Sequence, residues 1–364
     1  MKLGVVGLPN VGKSTLFNAI TKAGAESANY PFCTIEPNVG TVPVKDVRVD
    51  FLSELYSSDK KIYATIDFVD IAGLVKGASK GEGLGNKFLS NIREVDALVH
   101  VVRCFDDDEV IHVEKTVDPI RDITTINLEL IFSDIESVNK KLERIEKNVK
   151  AGDKKAVEEK NLLVKSKKHL EDEKPIRTME LSENESKLMK SFFLITSKPV
   201  IYVCNISESE IVDYSKNKYV FEVNKYSEQE DSKTIVLSAK IEAELSEFDD
   251  DEATTFKKEL GISDSGLEKL VKAGYSVLGL ISFLTAGKQE TRAWTIKNGF
   301  TAPKAAGKIH TDFEKGFIKA EVVSFEKLYE TKSYIKAKEA GLVRLEGKQY
   351  VVKDGDVMLF KFNV

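Results

Sequence analysis

Gly7-Leu8-Pro9-Asn10-Val11-Gly12-Lys13-Ser14 is the stretch that decides the fold. It follows the apolar run Leu3 to Val6 and precedes a segment in which Leu16, Phe17 and Ile20 recur at helical spacing. A strand, a glycine-bounded loop and a helix in that order make a phosphate-binding loop. The glycines let the backbone turn so that its N–H groups surround phosphate oxygens. Lys13 reaches the β and γ oxygens, and the Ser14 hydroxyl ligates magnesium. The N-terminus of the following helix adds its dipole to the anion site. These residues predict a purine nucleoside triphosphate bound with Mg2+.

Working outward, Tyr63 to Val69, Ala97 to Val102, Pro199 to Cys204 and Thr234 to Leu237 read as buried strands separated by helical segments. That alternation predicts an α/β fold with a mostly parallel sheet. Asp70-Ile71-Ala72-Gly73 ends one of these strands. Its carboxylate can hold magnesium through water, and the Gly73 N–H can sense the γ-phosphate. Thr34, in the proline-punctuated loop Tyr30 to Asn38, is the candidate to complete the magnesium shell, with Thr41 as the competing residue. Glycines at 73, 77, 81, 83 and 85 make the segment after Asp70 a candidate switch.

The base-reading element departs from the guanine-specific Asn-Lys-x-Asp. Here the chain has Asn205-Ile206-Ser207-Glu208. A fixed aspartate pairs with guanine N1–H and its 2-amino group, neither of which adenine offers. Removing that aspartate removes a discrimination on the order of 10³. ATP is therefore expected to be preferred, with GTP weaker. Ser238-Ala239-Lys240 resembles the loop that closes over the base. Catalysis departs too, because Leu74 stands where Ras-like enzymes place the water-orienting glutamine. Asn10 is a candidate ligand for a K+ ion bridging the phosphates, and His112 is a second catalytic candidate. Slow intrinsic hydrolysis, raised by a partner, follows.

With 364 residues, two or three domains are expected. Hydrophobic residues at 42% and charged residues at 31% describe an ordinary globular chain. No apolar run reaches the length of a membrane span, and Pro9, Asn10 and Lys13 interrupt the N-terminal run too early for a signal peptide. A cytoplasmic location without membrane contact is expected. Three cysteines far apart, with no CxxC pair, argue against a zinc site or a disulfide framework.

Leu128, Ile131, Ile135, Val138, Leu142, Ile145 and Val149 alternate by three and four positions, an a/d seam over three heptads. Ala151-Gly152-Asp153 is a turn signal, and a second charged helix carries Val157, Leu162, Leu163 and Leu170. This predicts an antiparallel arm at about 127–197, inserted into a nucleotide domain spanning 1–280. From Phe283 the texture changes to short β-like runs, including Arg292 to Ile296, Phe317 to Val323 and Tyr350 to Val352, a small α+β module. Residues 281–364 hold 15 Lys+Arg against 10 Asp+Glu, a net +5 that leaves the rest of the chain at −10. A basic module on an acidic body suits contact with a polyanion.

Together these motifs resemble the Obg-related, Obg-like ATPase family of YchF type. The resemblance rests on residues 7–14, Asn29 to Asn38, Asp70 to Val75, Gly77 to Phe88, Arg292 to Thr295 and Ala306 to Ile318, and it covers essentially the whole chain. It implies a G domain, an inserted helical arm and, at 281–364, a TGS domain. It implies ATP hydrolysis preferred over GTP, magnesium dependence and association with the ribosome, either the large subunit or the whole particle, with RNA met through the arm and the TGS domain. By resemblance, the phosphate contacts fall on Asn10, Val11, Gly12, Lys13, Ser14 and Thr15, the magnesium ligands on Ser14 and Thr34, a base contact on Ile206 beside Asn205, and a mobile catalytic histidine on His112. A monomer is expected. The competing expectations are an Obg-class GTPase and a nucleotide-dependent binding module in which hydrolysis is incidental.

Overall fold

The computed structural model describes residues 1–25, 38–71, 84–107 and 116–363. In chain order the elements begin with β1 (Lys2–Val6), α1 (Lys13–Ala25), β2 (Val39–Val44), α2 (Val47–Tyr56), β3 (Lys61–Ile62), β4 (Ala64–Asp70), α3 (Leu84–Glu94) and β5 (Ala97–Arg103). They continue with α4 (Pro119–Lys150), α5 (Lys154–Glu171), α6 (Glu183–Met189), β6 (Val200–Asn205), α7 (Lys218–Gln229), β7 (Lys233–Leu237), α8 (Ala239–Leu245), α9 (Asp250–Glu259) and α10 (Gly266–Val277). The C-terminal part adds β8 (Leu280–Ala286), β9 (Thr291–Lys297), α11 (Ala302–Ile309), α12 (Thr311–Lys315), β10 (Phe317–Ser324), α13 (Phe325–Thr331), α14 (Tyr334–Glu339), β11 (Arg344–Glu346) and β12 (Asp356–Phe362). Among the described residues, 1–25, 38–40 and 67–270 form one compact unit, and 41–66 with 271–363 form another.

The first sheet runs β2-β4-β1-β5-β6-β7. β1 pairs in parallel with β4 and β5, β5 with β6, and β6 with β7. From β1 the chain passes to β2 and then β4 on one side and crosses to β5 on the other. The carboxyl end of β1 is thus a topological switch point, the place where such sheets bind ligands. Every residue of β5 and β6 is buried. Parallel strands covered on both faces read as unbroken apolar runs, which is why they were visible in the sequence.

α4 begins at Pro119, ahead of the expected start near 127. Asp118 caps it, accepting from the Arg121 N–H at 3.0 Å, and Pro119 occupies the first turn, where its missing N–H costs nothing. Ile123, Ile126 and Leu130 of this early half are buried, but they lie off the heptad seam, so the seam marked only the later part of the helix. Ala151, Gly152 (φ +80°) and Asp153 turn the chain, and the Asp153 carboxylate caps α5 through the Lys155 N–H at 2.9 Å. The antiparallel pair buries Ile131 and Val138 against Leu162, Leu163 and Leu170, with Ile176, Met189, Phe192 and Leu194 at its root. The return to β6 is pinned by Asp134, which accepts from the Ile195 N–H at 2.9 Å and the Thr196 N–H at 2.7 Å.

The second sheet is mixed, in the order β11-β10-β12-β8-β9-β3. Alternate residues serve its two faces. Phe283, Ala320, Val322, Met358 and Phe360 pack with Ala302, Ala305 and Ala306 of α11. Leu284, Val323 and Val357 pack instead with Val49 and Leu52 of α2, Leu328 and Ala337. Residues 41–66, which the sequence groups with the phosphate loop, therefore build a core with C-terminal residues. Tyr350 to Val352 makes one bridge, Thr301 to Val351, rather than a strand. Among the described residues no helix is long and apolar enough to cross a membrane.

Candidate active site

The loop between β1 and α1 requires its glycines and its asparagine for backbone reasons. Gly7 lies so close to β5 that a Cβ there would meet the Val101 carbonyl oxygen at 2.7 Å. Gly12 has φ +90°, and a Cβ there would collide with the Asn205 amide nitrogen. Asn10 has φ +62°, the left-handed region that asparagine tolerates better than most residues. The helical ladder then starts with Leu16 N–H donating to the Gly12 carbonyl at 3.0 Å.

Asn205 holds this loop in place. Its Nδ2 donates to the Val11 carbonyl at 3.0 Å, and its Oδ1 accepts from the Ala239 N–H at 2.9 Å. The side chain is buried and both ends of its amide are engaged. Asn205 therefore braces the phosphate loop against the start of α8. Its neighbour Ile206 is buried, and its N–H donates to the Leu237 carbonyl at 2.9 Å. Glu208 and Lys240 form an exposed ion pair at 2.9 Å. Ser238 and Ala239 are buried beside it.

Lys13 forms an ion pair with Asp70, their side chains 11% and 24% exposed. Ser14 and Thr15 are exposed at the first turn of α1. The Lys13–Asp70 pair thus stands where the loop enters α1, one residue before the exposed Ser14. A magnesium-bound triphosphate matches this set: phosphate oxygens for Lys13, and a hard cation for the Ser14 and Asp70 oxygens. Among the described residues no three His, Cys, Asp or Glu side chains cluster as a metal cage. P-loop nucleoside triphosphatases generally use Mg2+.

Thr34, Gly73, Leu74 and His112, with the glycine-rich segment through residue 83, lie outside the described residues. Thr41, the alternative to Thr34, lies in β2. Sequence reading missed Arg103 and Asn217. Arg103 ends β5 fully buried, donating through Nε to the Phe105 carbonyl at 3.0 Å and through Nη2 to the Asp107 carbonyl at 2.9 Å. Asn217 caps α7 through the Val220 N–H at 3.0 Å and donates to the Cys104 carbonyl at 2.8 Å. An arginine closing a strand that is apolar but for His100 was the available signal for the first. Cys104 and Cys204 are buried free thiols, and burial pushes the Cys104 thiol up, away from reactive thiolate.

The switch-point loop, its lysine and serine and the strand-end aspartate define the class: a P-loop nucleoside triphosphatase domain of the GTPase type. The family model MMR_HSR1, described as "50S ribosome-binding GTPase", matches residues 2–133. The model YchF-GTPase_C, described as "Protein of unknown function (DUF933)", matches residues 280–363. The chain is 57% identical over 361 residues to the "Ribosome-binding ATPase YchF" of Bacillus subtilis (strain 168), covering 99% of each chain. It is 50% identical to the protein of that name from Escherichia coli O157:H7, covering 100% of this chain and 99% of the other. The Schizosaccharomyces pombe YchF GTPase structure superposes with a TM-score of 0.89 at 42% identity, covering 99% of this chain and 97% of that one. The chain belongs to the YchF family.

Proposed function

We propose that this chain is an ATP-hydrolysing switch that binds the ribosome and acts in translation or its regulation, in the cytoplasm and as a monomer. The observation that carries the nucleotide choice is the Glu208–Lys240 pair. The carboxylate at the base-reading position is one methylene longer than aspartate and is drawn to a lysine at 2.9 Å. An exposed glutamate shared with a lysine supports a weaker hold on guanine N1–H and the 2-amino group than a fixed aspartate. The names of the bacterial relatives, ribosome-binding ATPases, support the same reading. A GTPase reading is kept because the fission-yeast structure and the MMR_HSR1 model carry that word. In competition against a fluorescent nucleotide, ATP is expected to displace at least about tenfold more effectively than GTP, a fraction of the 10³ a fixed aspartate can supply. A GTP preference would reverse the assignment.

In this reading residues 1–280 carry the nucleotide chemistry, with the arm at about 127–197, and residues 281–364 serve as a TGS module. Asn10 to Thr15 hold the phosphates. Ser14, Thr34 and Asp70 hold Mg2+. Asn205, Ile206, Glu208 and Ser238 to Lys240 frame the base. Lys13 and Gly73 stabilise the transferring phosphoryl group, and either His112 or a K+ ion on Asn10 replaces the missing glutamine.

The left-handed backbone at Asn10 dictates how the K+ role is tested. Alanine there would add about 1–2 kcal/mol of backbone strain and confound the result, whereas glycine keeps the conformation. Wild type is expected to turn over faster in potassium than in sodium buffer. Asn10→Gly is expected to lose that difference while keeping ATP affinity within about threefold, less than 1 kcal/mol. Equal wild-type rates in the two salts would remove potassium from the mechanism.

A further inference from the structure

Polar side chains inside the first unit are held by partners. Asp134 accepts from two backbone N–H groups and a hydroxyl, and Asn205 uses both ends of its amide. Glu242 accepts from the Gly266 N–H at 2.7 Å and the Leu267 N–H at 3.1 Å. Among the described residues, two buried side-chain atoms have no hydrogen-bond partner: His100 Nε2 and Arg177 Nη1. Both belong to one cluster. His100 is the register neighbour of Tyr202 in the parallel β5–β6 pair, and the centres of their rings are 5.7 Å apart. The Tyr202 hydroxyl is 3.3 Å from Arg177 Nη2, and the charge of Arg177 is felt at His100.

The rest of the guanidinium is engaged. Nε donates to Glu230, and Nη2 donates to Glu230, Asn127 and Tyr202. Nη1 carries two further N–H groups. His100 is 2% exposed, and burial keeps its imidazole neutral, so one ring nitrogen donates and the other accepts. A buried polar atom without a partner forfeits the bond it makes to water in the unfolded chain. Two such atoms in one cluster point to a shared partner, and the chemistry of the cluster selects it. Glu230 already balances Arg177, so an anion would bury an unmatched charge, and a cation would face the guanidinium. An apolar molecule would leave both atoms unpaired. Water can accept from one and donate to the other, and buried waters characteristically serve polar groups that lack another partner.

We propose that a buried water molecule binds between Arg177 Nη1 and His100 Nε2, accepting from the guanidinium and donating to the imidazole. His100 is then the tautomer with its proton on Nδ1. On β5 it pairs with Val6 of β1, the residue before the phosphate loop. Arg177 lies in the short turn Ile176–Thr178, on the chain returning from the arm. The two side chains make no direct hydrogen bond through these atoms. The water therefore ties the strand beside the phosphate loop to the root of the arm.

The test begins with crystals of the full-length protein at a resolution that orders water. A peak about 3 Å from both atoms is expected, the ordinary length of such bonds. No peak between them, or a direct Arg177 Nη1 to His100 Nε2 hydrogen bond, would overturn the proposal. So would an anomalous signal at that place after a bromide soak, which would make the ligand an anion. In solution, magnetic relaxation dispersion of water counts long-lived buried molecules. His100→Phe removes the acceptor and is expected to lower the count by one. His100→Gln, whose side-chain oxygen reaches the position of Nε2, should keep it. Equal counts in all three proteins would contradict the assignment. If the phenylalanine variant does not fold, the wild-type crystal decides by itself.

Discussion

Lys13→Ala is expected to lower the turnover number by about 10²–10³, the effect of deleting one preorganised group that stabilises developing negative charge. The Lys13 side chain is only 11% exposed, so solvent screens its charge little, and its ion pair with Asp70 aims it across the mouth of the loop. Removing it acts twice. The phosphates lose one of their two counter-charges, and the Asp70 carboxylate loses its ion-pair partner. Triphosphate affinity should therefore fall along with the rate, and diphosphate affinity should fall less, because Lys13 is placed to reach the γ oxygens as well. Steady-state hydrolysis and nucleotide titration of one preparation read both quantities. Turnover within tenfold of wild type would mean that chemistry is not carried by this loop. An unchanged melting temperature would separate the result from misfolding.

The second large effect concerns stability. Arg177→Ala should cost about 3–5 kcal/mol, because it leaves a buried carboxylate without its counter-charge. The Arg177 and Glu230 side chains are each 6% exposed. Arg177 donates to Glu230 at 2.9 Å and 3.2 Å, to Asn127 at 3.0 Å and to Tyr202 at 3.3 Å. Tyr202 and Tyr226 donate to the same carboxylate at 2.7 Å and 3.1 Å. The cluster joins the returning chain of the arm to α4, β6 and α7. Burial, and after it the charge of Arg177, pushes the nearby His100 down to about 3, so that imidazole stays neutral. Thermal unfolding should show the first unit melting roughly 10 °C lower, at a few degrees per kcal/mol. Replacing both partners, Arg177→Met with Glu230→Gln, should recover most of the loss, since no unpaired charge remains. A single variant as stable as wild type would show the pair to be solvated rather than buried.

These two predictions differ in how visible their residues were. Lys13 belongs to a local motif whose geometry is set by neighbours in the chain, so eight residues sufficed to name it. Arg177 lies 53 residues from Glu230, 50 from Asn127 and 25 from Tyr202. Nothing in its own neighbourhood marked it. Asn205 was legible as part of a base-reading motif, but its role was not. Its amide is spent on Val11 and Ala239, 194 and 34 residues away, so it fixes the loop's shape.

By itself the sequence determined the elements whose signals are local: the phosphate loop between an apolar strand and a helix, the aspartate at the end of β4, the near-continuous apolar runs of β5 and β6, and the heptad seam of the arm. These follow from backbone sterics and burial period, which act over a few residues. Only the tertiary structure decided that α2 builds a core with the C-terminal sheet, that β3 pairs with β9, and that Asn205 and Arg177 brace the nucleotide loop and the root of the arm. Each of those depends on which distant faces meet, and hydrogen bonds and apolar contacts between residues far apart in the chain leave no spacing to read.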